Sequence, residues 1–170
     1  MKTRRGLFVA ALLVAASLAV ASLVTPAGAD PSHPPAHRGG AIEVTEIHAL
    51  RSDGGGSIDP RLRDLPQLTR DQPFVRYNTY RLLDRRSLPL EEQKPVTELL
   101  VNGRTLQVTL VDVVERGTDR RFHIRAAIDD PGKQAFLKLL EVTAGVNEPF
   151  FVGGQSYDGG TLFLEIVVRP

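Results

Sequence analysis

Cysteine is missing from all 170 residues of this chain. Its absence excludes a disulfide framework, a thiolate metal centre and lipid attachment at a processed N-terminal cysteine. Any folded core must therefore hold itself by packing alone. Histidine is scarce, with four copies. His33 and His37 stand four apart, the spacing of a helical metal pair, but Pro34 and Pro35 between them forbid that helix. An excess of charge is lacking too. Setting aside Lys2, Arg4 and Arg5 leaves 18 of the 21 basic residues against 20 acidic ones, a net of −2. With no basic face and no aromatics interleaved with positive charge, nucleic acid is excluded as a partner.

Long apolar runs are confined to the N-terminus. A basic head, an apolar stretch over residues 6–24 broken only by Ser17 and Ser22, then Pro26 and the triplet Ala27-Gly28-Ala29 follow one another. That order is a secretory signal peptide cleaved after Ala29. The expectation is export to the periplasm or beyond the cell, with no membrane span left after cleavage; the triplet argues against an uncleaved anchor. Residues 3–8 resemble a twin-arginine signal, with Leu7 where Phe usually stands, so the export route stays open. Residues 30–40 hold three prolines and no apolar anchor, and read as a disordered linker. Residues 41–170 are expected to form one domain, since a chain of about 140 residues buries roughly two-thirds of its unfolded surface.

Within that domain short alternating runs dominate. Ile42, Val44 and Ile47 mark a first strand. Asp59 followed by Pro60 is a helix start, and Leu62, Leu65 and Leu68 give one short helix near residues 60–69 an apolar face. Residues 74–83 have strand composition, and a weaker extended piece around Leu88 and Leu90 is limited by Pro89. Asn102-Gly103 asks for a two-residue turn that sets Leu99 opposite Leu106. Leu106, Val108 and Leu110 alternate with polar residues, as do Phe122, Ile124, Ala126 and Ile128. A five-residue turn over 115–119 would set Leu110 against Ile124, Val108 against Ala126 and Leu106 against Ile128, with both apolar sets on one face. Residues 135–142 suit a helix by Phe136, Leu139 and Leu140, or a strand by Phe136, Leu140 and Val142; the strand is preferred. Residues 149–152 and 162–168 form a last strand pair around a glycine-rich loop, 153–160. Short strands in series with one helix give a mainly β fold, an antiparallel β-sandwich or partly open barrel.

Catalytic patterns arrive incomplete. Gly154-Gln155-Ser156-Tyr157-Asp158 approximates a nucleophile elbow, but its second glycine comes one residue late and no α/β context surrounds it. A base would have to be His48 or His123, each inside an expected strand. A small periplasmic hydrolase using Ser156 is thus the alternative reading. Asp129/Asp130 and Glu91/Glu92 are adjacent in sequence, where strand residues face opposite ways, unlike a glycosidase pair. Asp158 lacks the alternating oxygen ligands of a calcium loop, and Gly54-Gly55-Gly56 lacks the lysine of a phosphate-binding loop. No cofactor, metal or catalytic residue is assigned.

Two candidate surfaces remain. Arg121, His123 and Arg125 should project together from the solvent face of one strand, beside Thr105, Gln107 and Thr109. Such a stripe suits an anionic envelope polymer or lipid head group; the plainer reading is the polar face that antiparallel sheets show to water. Gln155 and Tyr157 in the glycine-rich loop are the second, because loops on a rigid sheet often carry recognition.

The run Ile58-Asp59-Pro60-Arg61-Leu62, residues 74–83 and 106–110, and the ending Phe151-Val152-Gly153-Gly154-Gln155 with Gly159-Gly160-Thr161-Leu162 resemble small exported bacterial β-rich proteins of uncharacterised function. The resemblance covers most of residues 41–170 and brings no catalytic residue with it. Val152-Gly153-Gly154 near a closing strand is faintly similar to the secretin domain of outer-membrane secretion channels, and nothing is carried over from it. The expectation is an exported, non-catalytic binding or accessory protein of the bacterial cell envelope. Its partner would be an envelope or secretion-complex protein, or an anionic envelope polymer.

Overall fold

A strand buried on both faces organises the molecule. β1 (Gly39–Leu50) lies between β3 (Thr79–Glu91) and β9 (Gly160–Arg169), antiparallel to both. The computed structural model describes residues 39–133 and 135–170, so the expected signal peptide (1–29) and most of the expected linker (30–40) lie outside the described residues. β2 (Ser57–Ile58) pairs parallel with the start of β3, and β8 (Pro149–Tyr157) pairs with β9, giving a five-stranded sheet in the order β2-β3-β1-β9-β8. β4 (Val96–Leu99), β5 (Thr105–Arg116), β6 (Asp119–Asp129) and β7 (Phe136–Gly145) form a four-stranded antiparallel sheet in chain order. Neither sheet closes into a barrel. They stack as a β-sandwich.

The sandwich core comes from the inward positions of both sheets. Ile42, Val44, Leu162, Leu164, Ile166 and Val168 meet Leu106, Val108, Leu110, Phe122, Ile124 and Ile128, all nearly free of solvent. Each such side chain contributes about 1.5–3 kcal/mol by burial, which is how the fold dispenses with disulfides. A second cluster lies on the outer face of the five-stranded sheet. There Ile47, Ala49, Tyr80 and Phe163 are covered by Leu62, Leu65, Leu68 and Phe74. The covering segment is a 3₁₀ turn (Pro60–Leu62), α1 (Gln67–Arg70) and a second 3₁₀ turn (Phe74–Arg76). Asp59 caps the first turn as expected, its carboxylate accepting from the Arg61 N–H at 3.0 Å, but Pro66 splits the expected helix so that only four residues are α-helical. Among the described residues no helix is long and apolar enough to cross a membrane.

The register of β5 and β6 is the expected one, Leu110 with Ile124, Val108 with Ala126 and Leu106 with Ile128. It is reached differently. The turn is tight, closing Arg116 on Asp119, and a bulge between Leu110 and Asp112 restores the phase that the longer turn would have supplied. At β4 and β5 the expected pairing fails by one residue. Leu100 N–H donates to the Arg104 carbonyl, the loop takes three residues with Gly103 at φ +79°, and Leu99 pairs with Thr105 rather than Leu106. Leu99 is consequently 63% exposed while Leu100 enters the core. The longer loop frees Asn102 to spend its side chain on Gln155 and on the Arg104 N–H.

Two other expectations shift. Residues 74–83 are not one strand: the chain makes a 3₁₀ turn first, and β3 then runs from Thr79 straight through Pro89. Proline is tolerated because β2 reaches only Thr79 and Tyr80, which leaves β3 a sheet edge at Pro89. Residues 136–145 are a strand, as preferred. The glycine-rich segment 153–160 is mostly strand too, turning only at Asp158 and Gly159.

Candidate functional site

The stripe of Arg121, His123 and Arg125 does share the outer face of β6, but each member meets a carboxylate there. Arg121 holds Asp119 at 3.1 Å and Glu148 at 3.0 Å. Glu141 on β7 receives His123 Nε2 at 2.8 Å, Arg125 Nε at 3.1 Å and Lys138 Nζ at 2.6 Å. The Lys138 and Arg125 contacts hold the Glu141 carboxyl down at about 2. On the other side of His123, Asp112 stands 3.6 Å from Nδ1. A polyanion would have to displace these carboxylates one for one. Exposed pairs of this kind are worth little individually, yet together they leave the stripe nearly neutral.

Gln155 and Tyr157 are not loop residues. Both lie on β8 at one end of the sandwich, where they join a set of polar groups that face inward. The Asn102 side-chain amide donates to Gln155 Oε1 at 2.8 Å, His48 Nε2 donates to the Tyr157 carbonyl at 3.0 Å, and the two rings meet edge-on at 5.2 Å. Beside them Glu46, 2% exposed, accepts from the Val101 N–H at 2.9 Å. Burial pushes the Glu46 carboxyl up, and that backbone bond only partly opposes it. These contacts tie β1 and β8 to the β4–β5 hairpin of the other sheet. Their chemistry is that of a clasp.

Ser156, between Gln155 and Tyr157, points to the opposite face by strand alternation. Of the two histidines that could serve a hydrolase as its base, His48 engages the Tyr157 carbonyl and His123 belongs to the other sheet. Among the described residues no group of three or more His, Asp or Glu side chains is arranged to hold a metal ion.

The geometry brings forward a place that the sequence did not. On the outer face of β8 and β9, next to the second 3₁₀ turn, lies a cleft of about 210 Å³ lined by Phe74, Arg76, Tyr77, Phe151, Gly153 and Phe163, among others. Phe74 meets both Phe151 and Phe163 edge-to-face at 4.9 Å, and Tyr77 meets Phe163 at 5.6 Å. Phe163 and Phe74 are buried as the floor, whereas Phe151 and Tyr77 are half-buried walls. Gly153 is required here, because a Cβ at that position would stand 2.1 Å from the Phe163 ring. The Tyr77 hydroxyl is fixed against Thr161 Oγ1 at 2.8 Å. Arg76 borders the cleft, its Nε donating to the Pro73 carbonyl at 3.0 Å and its guanidinium 5.9 Å from the Tyr77 ring centre. Arg51 lies next to Arg76, donating to its carbonyl at 3.2 Å. In the sequence these aromatics look like ordinary strand residues, since their partners are some 75 to 90 positions away; only the doubled Phe150-Phe151, one ring for each face, was a local signal. No family model, curated protein or solved structure matches this chain.

Proposed function

We propose that this chain is an exported, non-catalytic binding protein of the cell envelope, and that its recognition surface is the aromatic cleft on β8 and β9. The observation that carries the reading is the cleft itself: an aromatic floor held open by Gly153, with half-buried rings as walls and Arg76 at the rim. Clusters of this kind supply large contact area at small entropic cost and are typical of recognition sites. Export rests on the order of basic head, apolar run and Ala27-Gly28-Ala29 at the N-terminus. The Arg121–Arg125 stripe is the weaker surface, because its charges are already spent on Glu141, Glu148, Asp119 and Asp112.

A site-specific photo-crosslinker tests this in the native envelope. Placed at Val75, 42% exposed beside the cleft, it is expected to give a discrete adduct that Phe151→Ala abolishes and Ser156→Ala leaves alone. Adducts from the Arg125 position alone would move the site to the stripe, and loss of the adduct in Ser156→Ala would revive the hydrolase.

A further inference from the structure

We infer that the cleft and the free edge of β8 form one site, which takes an extended polypeptide by strand addition, seating one large apolar side chain in the cleft with acidic residues beside it. The inference rests on the cleft being the recognition surface and names its ligand class. Size comes first. At about 210 Å³ the cleft is smaller than the roughly 300–1,000 Å³ typical of small-molecule pockets, and it suits a single side chain of a longer ligand. The apolar floor of Phe74 and Phe163 selects an aromatic or branched aliphatic anchor.

Charge gives the flanks. Arg51 and Arg76 are exposed and, among the described residues, neither has a carboxylate partner, unlike the arginines of the β6 stripe. Arg76 at the rim of the apolar cleft, with Arg51 bonded to its carbonyl, complements Asp or Glu next to the anchor.

The edge supplies the main chain. β8 is the last strand of its sheet, and none of its nine residues carries a charge of the sort that usually blunts an edge. Its hairpin with β9 turns on Asp158 and Gly159, with φ +41° and +72°, and closes on the pair Tyr157–Gly160. That two-residue turn makes Tyr157–Gly160 the hydrogen-bonded pair, so in the next pair, Ser156–Thr161, the N–H and C=O of Ser156 point away from β9 to the open side. An incoming strand would find these groups beside the cleft wall at Phe151, Gly153 and Gly154.

Fluorescence anisotropy with short labelled peptides and the signal-processed protein tests the assignment. The peptides are a Thr/Val repeat with one central Phe flanked by Asp, the same with Ser for Phe, and the same with Lys for Asp. The Phe/Asp peptide is expected to bind at least about tenfold more tightly than either control, a difference of about 1.4 kcal/mol. The Asp-over-Lys preference should shrink in 1 M salt, where screening is nearly complete. Ser156→Pro, confirmed folded by its circular dichroism, should weaken the peptide about tenfold by removing the edge N–H, while Ser156→Ala does not. Arg76→Glu, an exposed change, should reverse the Asp-over-Lys preference. Equal binding of all three peptides, indifference to both Ser156→Pro and Arg76→Glu, or binding of N-acetylphenylalanine amide as tight as the peptide would overturn the inference. A Val75 adduct with a glycan would overturn it too, yet leave the cleft as the binding surface; absence of any Val75 adduct would remove that surface.

Discussion

Glu165 and Glu141 are the same side chain in opposite settings. Glu165 on β9 is 4% exposed and lies across the ladder from Thr45. Burial raises its carboxyl above the ordinary range, Asp64 and Glu43 add to the rise, and the Thr45 hydroxyl and Arg85 oppose it. Glu141, in the open on β7, is held at about 2 by Lys138 and Arg125. Linkage gives the two opposite signs. The depressed Glu141 supports the fold above its unfolded value of 4.5 and loses that support as pH falls toward about 2. The raised Glu165 gives its full support below the unfolded value, and loses it as pH rises through the folded pKa. Glu165→Gln should therefore gain thermal stability relative to the parent between about pH 4 and about pH 7. Melting curves at the two values check this; a constant difference would mean that Glu165 ionises in the fold without cost.

At the scale of elements, bulges decide phase. Four strand pairs carry a register shift, and the one in β5 is separable from the alternation around it. Val111 is the extra residue between Leu110, which faces the core opposite Ile124, and Asp112, which faces outward opposite His123. Deleting Val111 leaves Leu110 inward and Asp112 outward, so the ladder becomes regular. The expected cost is about 1–2 kcal/mol, from the contact that the Gln93 side chain makes with the Val111 carbonyl and from adjustment of the turn. Deleting Gln107 instead throws Leu106 to the wrong face and should abolish folding. Urea titrations of the two deletions distinguish a removable bulge from one that the sandwich needs.

Across the whole molecule, the two sheets share a single core, and their unfolding should be one event. Ile124, fully buried on β6, is a test position because it belongs to the four-stranded sheet. All three tyrosines (Tyr77, Tyr80 and Tyr157) sit with the other sheet, and no tryptophan obscures them. Ile124→Ala should cost about 2–5 kcal/mol. Far-ultraviolet dichroism and tyrosine emission should report the same shifted midpoint; separate midpoints would mean that the sheets unfold independently.

Much of this architecture was legible in single residues. Alternation in residues 105–110 and 121–128 names both the strands and their buried faces, and it holds the β5–β6 register even though the turn is shorter than the alternation implies. The period-two geometry of an extended chain makes such statements local. Asp59-Pro60 announced a capped turn, and the absence of cysteine left the fold to be held by packing, as the sandwich core does. Which strands became neighbours was not local. β1 is flanked by strands beginning 40 and 121 residues after its own first residue, and that choice reflects how completely its two faces could be buried. The same holds for the surfaces. Sequence placed Arg121, His123 and Arg125 on one face, but only strand pairing brought Glu141 alongside to neutralise them. Phe74, Phe151 and Phe163 became a cleft only when a covering turn, an edge strand and the strand beside it met, because a concave site needs walls from segments that no local periodicity connects.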